Sequence, residues 1–374
     1  MIYFMKKLIL ILIFSVSTLI GVAQTTNDVL ELLIKNKTIT QEQADSVRAE
    51  SAIKQQDLDA GKRSFFATAG RLIQLSGYTQ LRYRFLQESG KIDEFDIRRA
   101  RLDVRGAVSP YFAYRLQTDF AVSPKLLDAY AEVKLFDYLN LTVGQAKIPF
   151  SFENLASSNK MESIDRSQVV EALVARGKDV IGNQNGRDIG VQVGGTFWKF
   201  DHRFLFDYKI GVFNGSGINQ DDKNKNKDIV GRLIAHPIKG LDFGGSYYTG
   251  TGTFGTPTAT NQDRNRYGIE LNYEQPRFFV RGEFIEGKDG TTSKNGWYIQ
   301  TGYFVIPARL QLIAKYDTYD PNTDIASNVS TAYMIGGNYI FNNWSRIQAG
   351  FTLNKEEGPQ INNNYGIIQY QISF

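Results

Sequence analysis

The last ten residues constrain this chain most. Between Tyr365 and Phe374, Ile368, Tyr370, Ile372 and Phe374 share one parity, while Gln369, Gln371 and Ser373 share the other. Successive side chains of a strand point to opposite faces. This strand therefore has an oily face and a polar face, and it ends on an aromatic. That pattern suits the closing strand of an outer-membrane β-barrel, whose polar face lines a water-filled bore.

The other end names a destination. Lys6 and Lys7 precede an apolar run from Leu8 to Ile20, followed by Gly21, Val22 and Ala23. This is the layout of a signal peptide over 1–23, cut after Ala23. The run is too short to span a membrane as a helix. The chain has 0 Cys, so no lipid-anchored Cys follows the cut, and neither disulfides nor thiolate metal sites are expected. The formal charge is +4, and removing Lys6 and Lys7 leaves +2, because residues 1–23 contain no acid. That is not the basic excess of a nucleic-acid binder. With 25 Phe, 20 Tyr and 34 Gly the composition fits a barrel with aromatic girdles, and a large secreted β-protein would fit as well.

Residues 24–70 are expected to form a short helical periplasmic segment. Asp28 to Lys35 and Thr40 to Gln56 read as helices, with Val29, Leu32 and Leu33 on one stripe. Thr40 and Gln43 have capping-box spacing. The segment reads as a spacer or as an intersubunit helix bundle.

Residues 71–374 read as the barrel. Segments of about ten residues alternate in hydrophobicity at 73–86, 95–108, 112–121, 126–135, 139–146, 188–197, 203–213, 228–235, 241–250, 265–274, 277–286, 296–304, 309–316, 331–340, 345–353 and 365–374. A tilted strand needs ~9–11 residues to cross a bilayer. The connections alternate too. Short turns fall at Ser109–Tyr111, Phe136–Tyr138, Trp198–Asp201, His236–Gly240, Gln275–Pro276, Val305–Ala308 and Phe341–Trp344, and Pro110, Pro237, Pro276 and Pro307 lie in them. Their partners at 87–94, 147–187, 214–227, 251–264, 287–295, 317–330 and 354–364 are mostly longer and polar; Val122–Lys125 is the short exception. A soluble sandwich has no reason to alternate in this way. The expectation is an all-β, 16-stranded antiparallel transmembrane barrel in the outer membrane of a Gram-negative bacterium, in contact with outer-membrane lipid. Aromatics beside the short turns, such as Tyr111, Phe136, Tyr138, Trp198 and Trp344, outline its inner girdle.

Parity then assigns the lumen. A Lys or Arg facing lipid at mid-membrane costs ~2–4 kcal/mol. Arg82 and Arg84 therefore point inward, opposite Leu81, Tyr83 and Phe85. Arg99, Arg101, Asp103 and Arg105 point inward against Ala100, Leu102 and Val104, and Arg115, Gln117 and Asp119 against Tyr114, Leu116 and Phe120. Arg98 falls on the outer parity, at the loop end where it can snorkel. Six arginines share one wall, and rings of Arg or Lys select anions. Asp103, Asp119, Asp128 and Glu132 share that wall, so part of the set can pair into a stiffening lattice. The 147–187 connection is too long for an ordinary loop. It holds a helix after Ser163 with Val169, Val170, Leu173 and Val174 on one face, and it carries Lys147, Lys160, Arg166, Arg176, Lys178 and Arg187. Folded inward it would be a constriction loop; otherwise it is a surface loop.

Little in the chain suggests an enzyme. His202 and His236 lie in or beside turns without a motif-spaced Ser or Asp partner, and read as solvated. Asp221 to Asp228 lacks EF-hand spacing and reads as a solvated loop, not a metal site. No cofactor is expected.

Four stretches carry a resemblance to a family: Arg98–Gly106, Val143–Phe150, Ile164–Ser167 and Gly186–Val193. The chain resembles the phosphate-selective porin O and P family, and Leu33 to Ala49 is similar to the N-terminal segment of its Bacteroidetes-type members. The resemblance implies a sixteen-stranded homotrimeric channel that passes phosphate or other small anions. It places an arginine ladder on Arg99, Arg101 and Arg105 and a constriction on Lys147 and residues 160–187. A porin for anionic or neutral oligosaccharides, or a plugged structural barrel, would share the same architecture.

Overall fold

A computed structural model describes residues 30, 33–36, 38–40, 43–44, 47 and 73–374. The expected signal peptide and most of the expected helical segment lie outside the described residues. Contacts divide the chain into two compact units, 1–57 and 58–374. In the first, the capping box forms: Gln43 N donates to Thr40 Oγ1 at 3.2 Å, and Thr40 N donates back to Gln43 Oε1 at 2.9 Å.

The second unit is a closed antiparallel barrel of sixteen strands. They are β1 (Gln74–Leu86), β2 (Glu94–Ala107), β3 (Phe112–Asp119), β4 (Lys125–Phe136), β5 (Leu139–Lys147), β6 (Arg187–Phe200), β7 (Arg203–Phe213), β8 (Asp228–Ala235), β9 (Leu241–Phe254), β10 (Thr260–Glu274), β11 (Phe278–Asp289), β12 (Thr292–Ile306), β13 (Leu310–Asp320), β14 (Ser330–Asn342), β15 (Ser345–Glu356) and β16 (Tyr365–Ser373). Each expected segment overlaps one of them. Closure runs through the C-terminus. β16 pairs with β1 from Tyr78 opposite Ser373 to Leu86 opposite Tyr365. The backbones of Gly77 and Phe374 then exchange both hydrogen bonds at 2.9 Å. A Cβ on Gly77 would lie 2.6 Å from Phe374 Cζ, so only glycine lets the terminal ring seat there.

The outer face is apolar, as lipid requires, and Phe95, Leu116, Ile210, Leu312 and Ile335 are among its exposed side chains. Two expected outer loops are shorter than the sequence suggests. The strands run on to Phe254 and from Thr260, and β11 and β12 pair as far as Asp289 opposite Thr292, with Gly290 turning at φ 58°. Above the girdle both faces of these strands are polar, so the alternation that betrays a strand fades although the ladder continues.

The barrel is not hollow on every side. The 148–186 connection folds inward and carries α1 (Phe152–Leu155) and α2 (Gln168–Leu173). The apolar face of α2 and the turn after it, Val169, Val170, Leu173 and Val174, is buried with Ile148, Phe150, Phe213, Val230, Tyr248, Ile285, Tyr298 and Tyr319. The lumen-facing wall from β7 to β13 thus doubles as a hydrophobic core.

Candidate functional site

The inserted connection is held from nearly all round. On the β10–β13 side, Arg264 grips Asp179 at 2.7 Å, Arg266 donates to the Leu173 carbonyl at 3.1 Å, and Arg281 grips Glu162 at 3.0 Å. Glu283 accepts from the free N–H groups of Phe152 and Glu153 at the start of α1, and Asp317 accepts from Gln168 N at the start of α2. Carboxylates satisfy orphan helix-end donors and favour their positive end. Lys315 reaches Glu153 at 2.9 Å, Gln348 donates to the Glu162 carbonyl at 2.9 Å, and Arg346 donates to the Asn159 carbonyl at 2.8 Å.

On the β1–β6 side lies the arginine wall, and most of it is paired. Arg82 takes Asp96 in a two-pronged bond at 2.8 and 2.5 Å. Arg84 binds Glu94 and lies 3.4 Å from Asp96. Arg101 binds Asp119 at 2.8 Å and Tyr78 Oη at 2.9 Å. Arg105 and Arg115 share Asp103 at 2.6 and 2.7 Å, and Arg115 also reaches Asp128 at 3.1 Å. Arg187, assigned from sequence to the loop, opens β6 and is buried on Asp128 at 2.6 Å. Two acids absent from the sequence reading, Glu94 and Asp96, complete this lattice.

Arg98 needs a correction. A β-bulge between the Gln80–Arg99 and Leu81–Ile97 pairs resets the parity of β2. Ile97 and Phe95 therefore face outward, and Arg98 turns in beside Arg99 to bind Asp165 of the inserted connection. An inserted residue leaves no mark in an alternation count.

Four cations rest on neutral acceptors instead of carboxylates, and all converge on residues 153–158. Arg99 donates to Gln80 Oε1 at 2.7 Å, and Gln80 donates to the Ser158 carbonyl at 3.3 Å. Lys147 Nζ donates to the Leu155 and Ala156 carbonyls, both at 2.9 Å. Arg166 donates to the Glu153 and Ala156 carbonyls at 3.0 and 3.2 Å and to Ser158 Oγ at 3.2 Å. Arg176 takes Asn154 Oδ1 at 3.0 and 2.7 Å. The carbonyls of Glu153, Leu155 and Ala156 among these acceptors belong to the C-terminal end of α1 and its exit turn, the end of a helix that attracts cations. Gly186, at φ 69°, closes the connection where a Cβ would collide with Asn154 Oδ1. Burial first, then the neighbouring Arg166, pushes the Arg176 guanidinium well below its usual value, as expected where like charges crowd together.

An opening of about 340 Å³ lies between the inserted connection and β13–β16. Glu162, Asp165, Arg166 and Lys178 line its loop side; Lys315, Asp317, Ser330, Met334, Asn338, Thr352, Asn354, Asn363 and Tyr365 are among the residues of the opposite side. Of the cations expected at the constriction, Arg166 and Lys178 reach this opening; Lys160 is exposed on the connection outside its lining. Arg82, Arg84, Arg99, Arg101, Arg105, Arg115, Lys147, Arg176 and Arg187 are not in its lining. Sequence reasoning missed the β10–β15 anchors. The inward parity of Arg264, Arg266 and Arg281 was a usable signal, since they alternate with outward Tyr267, Ile269 and Val280.

Two smaller readings change. His236 is not simply solvated: its ring nitrogens lie 2.7 Å from Asp242 and 2.9 Å from Asp207. The Asp221–Asp228 stretch is exposed at Asp221, Lys223 and Lys225, but Asp228 starts β8 and is fully buried, accepting from Thr251 N at 2.9 Å and from the Tyr248 hydroxyl.

Residues 66–254 match the family model described as phosphate-selective porin O and P. That match starts downstream of Leu33–Ala49, and the Bacteroidetes-type character expected there is not borne out. A search of curated proteins finds no match. Solved structures share the fold. An anion-selective porin from Comamonas acidovorans superposes at TM-score 0.60 with 13% identity, over 81% of this chain and 99% of that one. In-vitro folded OmpT, an outer membrane protein of Vibrio cholerae, gives 0.60 at 13% identity over 83% and 100%. The outer membrane channel DcaP of Acinetobacter baumannii gives 0.59 at 13% identity over 83% and 99%.

Proposed function

Because this chain belongs to the phosphate-selective porin O and P family and is an outer-membrane porin, we propose that it is a passive channel for small anions, with phosphate and related oxyanions as its solutes. The observation that carries this reading is the cluster of Arg99, Lys147, Arg166 and Arg176 around residues 153–158, whose hydrogen bonds go to neutral acceptors and of which Arg166 lines the opening. The arginine wall supports the cluster more than it meets the solute, since its pairs with Asp96, Asp103, Asp119 and Asp128 neutralise most of it.

An anion entering from outside trades part of its water for guanidinium N–H groups. Arg matches oxyanion oxygens with two parallel bonds, and Lys acts as a point charge. A single unscreened pair at ~4 Å is worth ~4 kcal/mol at an effective dielectric near 20, so two such pairs would trap the ion. Throughput instead calls for moderate sites, and the neutral acceptors already bound to each cation temper its pull. The family and the anion-selective Comamonas porin agree with this direction of selectivity, and the trimer form of OmpT agrees with assembly as a homotrimer. Phosphate titrated against the chloride current of single channels in planar bilayers tests the solute. The proposal expects saturable block; a chloride current indifferent to phosphate would overturn phosphate as solute.

A further inference from the structure

The opening is two-sided in chemistry, and the second side asks for more hydrogen-bond donors than phosphate supplies. Arg166 and Lys178 stand on the loop side. The β13–β16 side offers Ser330, Thr352 and Asn354, together with two hydrogen-bond acceptors that have no donor. Asp317 Oδ1 and Asn363 Oδ1 are both buried atoms without a hydrogen-bond partner, and both residues line the cavity. Asp317 itself is only 5% exposed, and its other oxygen is committed to Gln168 N at 2.8 Å. An orphaned buried acceptor is costly and waits for a donor. Phosphate presents chiefly lone pairs and few O–H groups, so it meets that side poorly. Hydroxyl groups would be drawn to it.

The cavity, about 340 Å³, falls in the ~300–1,000 Å³ range of sites for small organic molecules. Ile313 and Met334 leave apolar patches between the polar groups, against which ring C–H faces can slide. From this juxtaposition we propose that the channel prefers polyhydroxylated anions: a carboxylate or phosphate carried on a sugar-like skeleton. The anionic end runs along Arg166 and Lys178, and the hydroxyls donate to Asp317, Asn363 and their neighbours. This rests on the anion-channel reading and names its solute class.

Purified full-length protein in planar bilayers tests it, with glucuronate, acetate and glucose added against a chloride current. Two extra hydrogen bonds at about 0.7 kcal/mol each make glucuronate block at roughly tenfold lower concentration than acetate. Glucose alone blocks weakly. Asn363→Ala should shrink the glucuronate advantage about threefold, by removing one such bond, and leave acetate block unchanged. Thr352→Val is the second variant, and heat-modifiable gel mobility checks that both barrels fold. Glucose 6-phosphate and inorganic phosphate form a parallel pair that separates a sugar phosphate from a sugar acid as the better solute. Equal block by glucuronate and acetate, in a channel whose zero-current potential still favours anions, overturns the solute class and leaves the anion channel standing. A zero-current potential favouring cations overturns both.

Discussion

The wall from β1 to β6 and the wall from β13 to β16 both turn polar side chains inward but treat charge differently. On the first, guanidinium groups and carboxylates alternate and close on one another: Arg82 with Asp96, Arg101 with Asp119, Arg115 with Asp103, Arg187 with Asp128. On the second, the side chains over the opening are mainly neutral, and two acceptors are left without donors. Density of charge and availability of charge are therefore separate properties. The charge-rich wall is largely spent on itself. The cations whose hydrogen bonds go to neutral acceptors, Arg99, Lys147, Arg166 and Arg176, gather on the inserted connection and its immediate neighbours.

Removing half of a buried pair should have the largest effect. Arg187→Ala leaves Asp128, 1% exposed, with its main partner gone. A loss of about 3–5 kcal/mol in barrel stability is expected, read as a lowered urea midpoint in detergent. An unchanged midpoint with altered selectivity would move Arg187 from the scaffold to the pathway. Leu173→Ala attacks the opposite face of the connection, where Leu173 is 1% exposed against β7–β13. The packing loss is about 2–5 kcal/mol, but it should appear as noisy, flickering conductance while the barrel stays closed. Leu102→Arg puts a charge on the lipid face of β2 at a cost of ~2–4 kcal/mol, seen as a reduced folded fraction in vesicles. Arg105→Ala should do least. Its side chain is 53% exposed although bonded to Asp103, and such pairs are worth ~0–1 kcal/mol. A large selectivity change in Arg105→Ala would show that the charge-rich wall does meet the solute.

Much of this molecule is written at period two. Leu81, Tyr83 and Phe85 against Gln80, Arg82 and Arg84 settle orientation without coordinates, because lipid and water cannot be exchanged across a strand. The last strand closes the barrel as the last ten residues suggest, and the fold adds that Phe374 is seated against Gly77. Val169, Val170, Leu173 and Val174 likewise give the buried face of α2 from spacing alone. Two kinds of fact are not written there. The bulge at Arg98–Arg99 changes which residues face inward without changing their order. Partner choice is set in three dimensions: Arg264 meets Asp179, which is 85 residues away in sequence. Parity gives a list of inward cations, and only the fold separates those that brace the wall from those with charge left for a solute.

The zero-current potential across a potassium chloride gradient, measured for the natural protein and for Arg166→Gln, bears most directly on the basic cluster at 153–158. The natural channel should show a potential of the sign set by chloride, and Arg166→Gln should move it toward the potassium side while heat-modifiable gel mobility still reports a folded barrel. A natural channel that already favours potassium, or a variant whose potential does not move, would contradict the assignment of selectivity to that cluster.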